Sequence, residues 1–175
     1  MSRQVKLAAY DPQWPTLYEK EKRLILDAIG RIVVGIEHIG STAVSGLGAK
    51  PIIDIMVAVK SLKDSEKCIE PLQRIGYEYV PERETSIPER RYFRKGKPPK
   101  EQHYHLHMVE LKSEFWKRQL LFRNYLRSHP EVAQDYLNLK KRLAIKYRLN
   151  REGYTKAKTA FIESIVARAE AEYSG

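Results

Sequence analysis

Two hydrophobic periodicities divide the chain. Up to residue 112, short apolar runs alternate with stretches of helical spacing; beyond it, apolar positions recur only at helical spacing. Arg31–Ile39 (RIVVGIEHI), Pro51–Val59 (PIIDIMVAV), Arg90–Lys95 (RRYFRK) and His103–Glu110 (HYHLHMVE) read as strands, with Tyr77–Val80 as a short fifth. The last two long strands are set to pair as a hairpin across Lys95–Gln102, where Gly96, Pro98 and Pro99 break the run. Leu17, Leu24, Ile25, Ala28 and Ile29 place a helix of about four turns ahead of the first strand, opened by Pro15 and ended by Gly30. A second helix after Ser61 carries Cys68, Ile69, Leu72 and Ile75 on one face and stops at Gly76.

The C-terminal third is helical throughout. Ser113 caps a helix to Ser128, and Pro130 opens another with Val132, Tyr136, Leu139, Leu143 and Tyr147 on one side. After a break at Asn150–Gly153, a third is expected from Thr155 to Glu172, with Ala157, Ala160, Phe161, Ile165 and Ala169 inward. Residues 1–13 read as an edge segment and turn, and 81–88 as a polar loop. The order predicts an α+β fold: a small mixed sheet, helices packed on it, and a C-terminal helical layer. One domain over 1–175 is expected, with an α/β core at 1–112 and a helical part at 113–175.

Composition narrows the setting. At 175 residues and 42% hydrophobic, the chain can bury a core unaided. No apolar run approaches the roughly 20 residues that span a bilayer, and the N-terminal stretch lacks an apolar leader. Cys68 has no partner for a disulfide, which suits a reducing compartment. A cytoplasmic protein without membrane contact is therefore expected. The net charge of +10 favours anionic partners. RNA is a poor candidate, because the basic residues are dispersed and no RNA-recognition motif, zinc finger or arginine-rich tail is present.

The chemistry concentrates in HIGSTAVSGLGAKPIIDIMVAV, residues 38–59. Gly40, Ser41 and Thr42 form a small-residue turn whose backbone can approach a phosphate closely. Asp54 is the one charge in an apolar strand, and a buried unpaired carboxylate is expensive. A Gly-Ser turn followed by an acid-bearing strand is similar to the polymerase-beta-like nucleotidyltransferases, in which the turn holds a triphosphate and paired acids on one strand face bind divalent metal. Within that pattern, HIGSTAVSGLGAKPIIDI resembles the signature of the GrpB (UPF0157) family, with Ser45 where the signature has Pro. The resemblance continues through RRYFRK, HYHLHMVE, FRNYLRSHP, YLNLKKRLA and YTKAKTAFI, nearly the whole chain. It implies a nucleotidyltransferase-like fold. Some members of that family are fused to dephospho-CoA kinase, which hints at a coenzyme A connection.

The chain departs from the transferase pattern at Met56, which stands where a second acid belongs and is no ligand for Mg²⁺. His103, His105 and His107 alternate on the later strand and can share a face with Asp54. Asp54, His105 and His107 are thus the candidate catalytic residues. They are also a candidate metal set, one better suited to Zn²⁺ or Mn²⁺ than to Mg²⁺. On an exposed sheet the same histidines would simply be solvated. Lys50, at the entrance to the Asp54 strand, and Arg91, favoured as the arginine on the histidine side, are candidate phosphate ligands. From the helices, the family-like blocks add Arg123, Lys140 and Lys158. Two functions fit: a nucleotidyltransferase-like enzyme acting on a nucleoside triphosphate or related phosphorylated ligand, or a non-catalytic domain binding a nucleotide or a coenzyme A-like compound.

Overall fold

In a computed structural model, which describes residues 5–97 and 100–175, a five-stranded mixed sheet carries helices on both faces. Residues 1–4 of the expected edge segment, and Pro98 and Pro99 of the hairpin loop, lie outside the described residues. The strands are β1 (Val33–Ile39), β2 (Ile52–Val59), β3 (Glu78–Tyr79), β4 (Arg90–Lys95) and β5 (His103–Glu110), in spatial order β1-β2-β5-β4-β3. Only β2 and β5 run parallel; β1 with β2, β4 with β5, and β3 with β4 are antiparallel. The hairpin of β4 and β5 forms as the sequence predicts.

Alternation sorts the strands into two faces. One face carries Ile53, Ile55, Val57, Phe93, Leu106 and Met108, all fully buried. It packs on α1 (Trp14–Ile29) and α2 (Glu66–Arg74), which contribute Trp14, Ile25, Cys68 and Leu72 to the main core. Burying these side chains supplies on the order of 25 cal/mol per Å² of apolar surface. In α1 the inward stripe runs Trp14, Tyr18, Glu21, Ile25, Ile29, so Leu24, expected inward, is 44% exposed. Gly30 keeps right-handed backbone (φ −54°), while Gly76 takes φ +96° and does stop α2.

The other face is covered over half its length. α3 (Glu114–Ser128), capped by the Ser113 hydroxyl on Trp116 N–H, lays Phe115, Trp116 and Leu120 over Ile39, Met56 and Val109. Gly35 lets this happen, since a Cβ there would meet the Trp116 ring at 2.9 Å. α4 (Pro130–Lys146), α5 (Arg151–Ala157) and α6 (Thr159–Tyr173) complete the helical layer. Its core joins Phe122, Leu126, Tyr136 and Ile165 to Val44 and Leu47 of the loop after β1. The single helix expected over 155–172 is two, broken at Lys158, and Ala160 beside that break is exposed rather than inward.

Candidate functional site

The uncovered half of the second sheet face holds the charged residues. Asp54 lies opposite His105 in the parallel β2–β5 ladder, and Met56 opposite His107. The carboxylate Oδ1 is 3.0 Å from His107 Nε2 and 3.5 Å from His105 Nδ1. Burial works against the charge of Asp54, but hydrogen bonding from His105 and His107 outweighs it and holds the carboxyl far below its usual range. One donor atom from each of Asp54, His105 and His107 lies within 4.8 Å of the others. His103 faces the same way but is edge-on to His105 at the rim.

Arg90, not Arg91, stands beside them. In the antiparallel ladder Tyr92 lies opposite His107, which puts Arg90, Tyr92 and Arg94 on the histidine face. Arg91, expected there, is on the far side, where it pairs with Glu84 at 3.3 Å. Arg90 is 8% exposed, donates Nη2–H to the Arg83 carbonyl at 3.1 Å, and approaches His107 Nδ1 with Nη1 at 3.3 Å. A guanidinium only donates, so His107 Nδ1 accepts and its proton sits on Nε2, pointing at Asp54. Burial lowers the pKa of His107, which agrees with a neutral ring. The Nε–H of Arg90 is buried with no partner among the described residues.

The Gly40–Ser41 turn borders this cluster. Gly40 has φ +74°, and a Cβ there would lie 2.9 Å from Asp54 Oδ2, so only glycine both adopts the turn and admits the carboxylate. Ser41 Oγ accepts from Lys140 Nζ at 3.1 Å, and the same amine donates to the Gly48 carbonyl at 2.7 Å. Thr42 turns away: its hydroxyl donates to the Ile52 carbonyl and meets His38 Nε2 at 3.0 Å. The sequence groups Thr42 with the phosphate turn, but its bonds make it a brace for the loop.

Three lysines close the cleft. Lys140 is 2% exposed, with its amine 4.8 Å from the Tyr136 ring. Lys50 and Lys158 reach over Tyr154, at 5.4 and 4.5 Å from its ring. None of the three has a carboxylate within 4.0 Å among the described residues. Burial, then the repulsion of Lys158 and Lys50, pulls Lys140 down to about 7. Burial and Lys50 pull Lys158 to about 8, while Asp54 pulls the other way. The Tyr154 hydroxyl is buried with no partner among the described residues. Arg123, the remaining expected phosphate ligand, is spent elsewhere: Nη1 binds Glu37 at 2.6 Å and the His38 carbonyl at 3.0 Å.

A family model described as GrpB protein matches residues 4–168. Among curated relatives, a UPF0157 protein of Pseudomonas aeruginosa is 38% identical over 94% of this chain and 67% of its own length. The glutamate-rich protein GrpB of Alkalihalophilus pseudofirmus is 38% identical over 93% of this chain and 94% of its own. A dephospho-CoA kinase of Mycolicibacterium paratuberculosis is 29% identical over 78% of this chain, which spans 39% of that enzyme. The crystal structure of conserved protein GrpB from Enterococcus faecalis superposes with a TM-score of 0.87 at 36% identity, covering 97% of this chain and 100% of the other. Two structures at 15% identity share the fold: terminal uridylyl transferase 4 from Trypanosoma brucei with bound CTP (TM-score 0.51, 86% of this chain and 50% of that one), and Cid1 with the UTP analogue UMPNPP (0.54, 88% and 48%).

Proposed function

This chain belongs to the GrpB family, and we propose that it binds a nucleoside triphosphate or related phosphorylated compound and transfers a phosphorus-containing group from it to an acceptor. The observation that carries this reading is the set Lys50, Lys140 and Lys158: mutually repelling amines by the Gly40–Ser41 turn with no carboxylate within 4.0 Å of any of them among the described residues. Burying like charges together is costly, and a polyphosphate removes that cost. Arg123 is held by Glu37 and the His38 carbonyl, the Thr42 hydroxyl hydrogen goes to the Ile52 carbonyl, and Arg91 faces away, so none of these is assigned to the phosphate site.

The acid–base group is His105. Asp54 receives its Nδ1–H, which leaves Nε2 as the acceptor. In the transfer, the acceptor hydroxyl oxygen bonds to phosphorus, its proton passes to His105 Nε2, and the bond to the leaving phosphate breaks with its electron pair. The leaving group's charge meets the lysines. His107 contributes a fixed Nε2–H to Asp54 and is held there by Arg90.

The Asp54–His105–His107 set fits a divalent cation poorly. A metal on His107 Nε2 would force the proton to Nδ1, facing an Arg90 N–H, whereas metal-bound histidines direct that N–H to an acceptor. Asp54 Oδ1 already takes both imidazoles, and Met56 is fully buried under α3. No step is therefore routed through a metal. That same buried Met56 favours the second reading, a non-catalytic domain for a nucleotide or coenzyme A-like ligand.

Pyrophosphate or phosphate release from the common nucleoside triphosphates, assayed against a broad set of hydroxyl acceptors, separates the two. Turnover abolished in Asp54→Asn and His105→Gln with ligand binding retained supports transfer. Binding without turnover in the wild type selects the accessory-domain reading.

A further inference from the structure

A cavity of about 810 Å³ lies between α1, β1, the loop after β1, α3 and α4. It shares no lining residue with Asp54, His105, His107 or the three lysines. Its floor is Tyr18 and His38, stacked at 4.7 Å with 14° between the rings. Leu126 and Leu137 form an apolar wall; Lys22, Arg123 and Arg127 line it together with Glu19 and Glu37, and Arg123 pairs with Glu37.

The hydrogen bonds of His38 set what this cavity can hold. Thr42 spends its one hydroxyl hydrogen on the Ile52 carbonyl at 3.2 Å, so its oxygen accepts from His38 Nε2–H. His38 Nδ1 is then a bare acceptor, on a residue 6% exposed that lines the cavity and has no partner for that atom among the described residues. Burial pushes the pKa of His38 down to about 4 despite the upward pull of Asp54, and Arg127 and then Arg123 add smaller downward contributions, so the ring stays an acceptor at neutral pH. The cations are not used up. Arg123 is paired with Glu37, but Arg127 donates only its Nε–H, to the Ala43 carbonyl at 2.9 Å, and has no carboxylate within 4.0 Å among the described residues.

We infer that this cavity is a binding site for a flat small molecule that carries an anionic group, phosphate or carboxylate, at Arg127 and a hydrogen-bond donor at His38 Nδ1. The ring packs against the Leu126 and Leu137 wall while its donor meets the edge of His38. Arg127 also holds the Ala43 carbonyl, one residue past Thr42, so an occupant that recruits Arg127 pulls on the loop that ends at Ser41. The site is thus placed to report on the lysine cleft without being part of it.

The probe is 4-aminophenyl phosphate, which has the ring, the anion and the donor; phenyl phosphate lacks the donor. Binding is followed on wild-type full-length protein by calorimetry and by the ¹⁵N resonances of the histidine side chains. The expected result is binding of 4-aminophenyl phosphate with a shift of the His38 Nδ1 signal, about tenfold weaker binding in Arg127→Ala, and unchanged binding in Lys158→Ala. Phenyl phosphate should bind more weakly and leave Nδ1 unshifted. Arg127 is exposed, so its replacement leaves the core intact. Binding lost in Lys158→Ala but kept in Arg127→Ala would place the probe in the lysine cleft and overturn the inference, as would absence of binding or an unmoved His38 signal. Either result leaves the reading of the lysine cleft standing.

Discussion

Arg90 Nη1 stands 3.3 Å from His107 Nδ1, and since arginine cannot accept, this contact fixes which nitrogen of His107 carries the proton. In the proposed reading Asp54 and His107 then act as a hydrogen-bonded pair rather than as two ligands of a metal. Histidine ¹⁵N spectra of the wild type should therefore show His107 as the Nε2–H tautomer. Arg90→Met removes the donor and frees the ring to turn its lone pair inward, so affinity for Zn²⁺ should rise by about tenfold or more, in the range by which second-sphere partners tune such sites. Calorimetric titration with zinc checks this. Tight zinc binding by the wild type that involves His107 would count against the assignment.

The lysine cleft has its own pH signature. Lys140 and Lys158 are pulled to about 7 and about 8, below the ordinary lysine value near 10.4, so between these pH values the unfolded chain binds more protons than the folded one. Stability should accordingly rise with pH across that window, and Lys140→Met should flatten the rise, measured by denaturant unfolding at a series of pH values. Polyphosphate favours the charged amines, so its binding near pH 7.5 should take up protons and weaken as the pH climbs toward 9. Calorimetry in buffers of different ionisation heat reads the uptake directly.

Asp54 works in the opposite direction. Its carboxyl is held low by His105 and His107 against the cost of burial, so it contributes stability that is complete above the unfolded value near pH 4 and is lost as the pH falls below it. Thermal unfolding between pH 5 and about 3 should fall more steeply in the wild type than in Asp54→Asn. Equal slopes would mean that the histidine contacts do not hold in solution.

Met56 tests why the second acid is missing. It is fully buried beneath Phe115, Trp116 and Leu120, so a carboxylate there would be dry and unpaired. Met56→Asp should cost about 3 kcal/mol or more by urea denaturation and should not raise nucleotide turnover above that of the wild type. A stable, more active variant would show that α3 moves off the sheet.

The sequence already carried the strand set, the hairpin, the cap at Ser113 and the helix start at Pro130, because these rest on local signals of period and turn chemistry. It also brought Asp54, His105 and His107 together correctly, since alternation along one strand constrains a face. It failed where the answer depended on pairing. Alternation groups Arg90 with Tyr92 and Arg94 but cannot say which group faces the histidines; that follows only from Tyr92 lying opposite His107. Arg123 looks like any helical arginine until Glu37 and the His38 carbonyl, 86 and 85 residues away, are found to hold it. Lys140, a charged residue among the apolar positions of its helix, gives no sign of being buried on Tyr136. The cavity behind the loop is likewise built from α1, β1, α3 and α4, and no single stretch contains its pattern.

The most direct measurement is calorimetric titration of tripolyphosphate into wild-type protein and into Lys140→Met and Lys158→Met, which keep side-chain length and remove only the charge. Saturable binding by the wild type, weakened by about tenfold in each variant, is expected if these amines await a polyphosphate. No binding by the wild type, or equal affinity in all three proteins, would contradict the assignment of this cleft as a phosphate site.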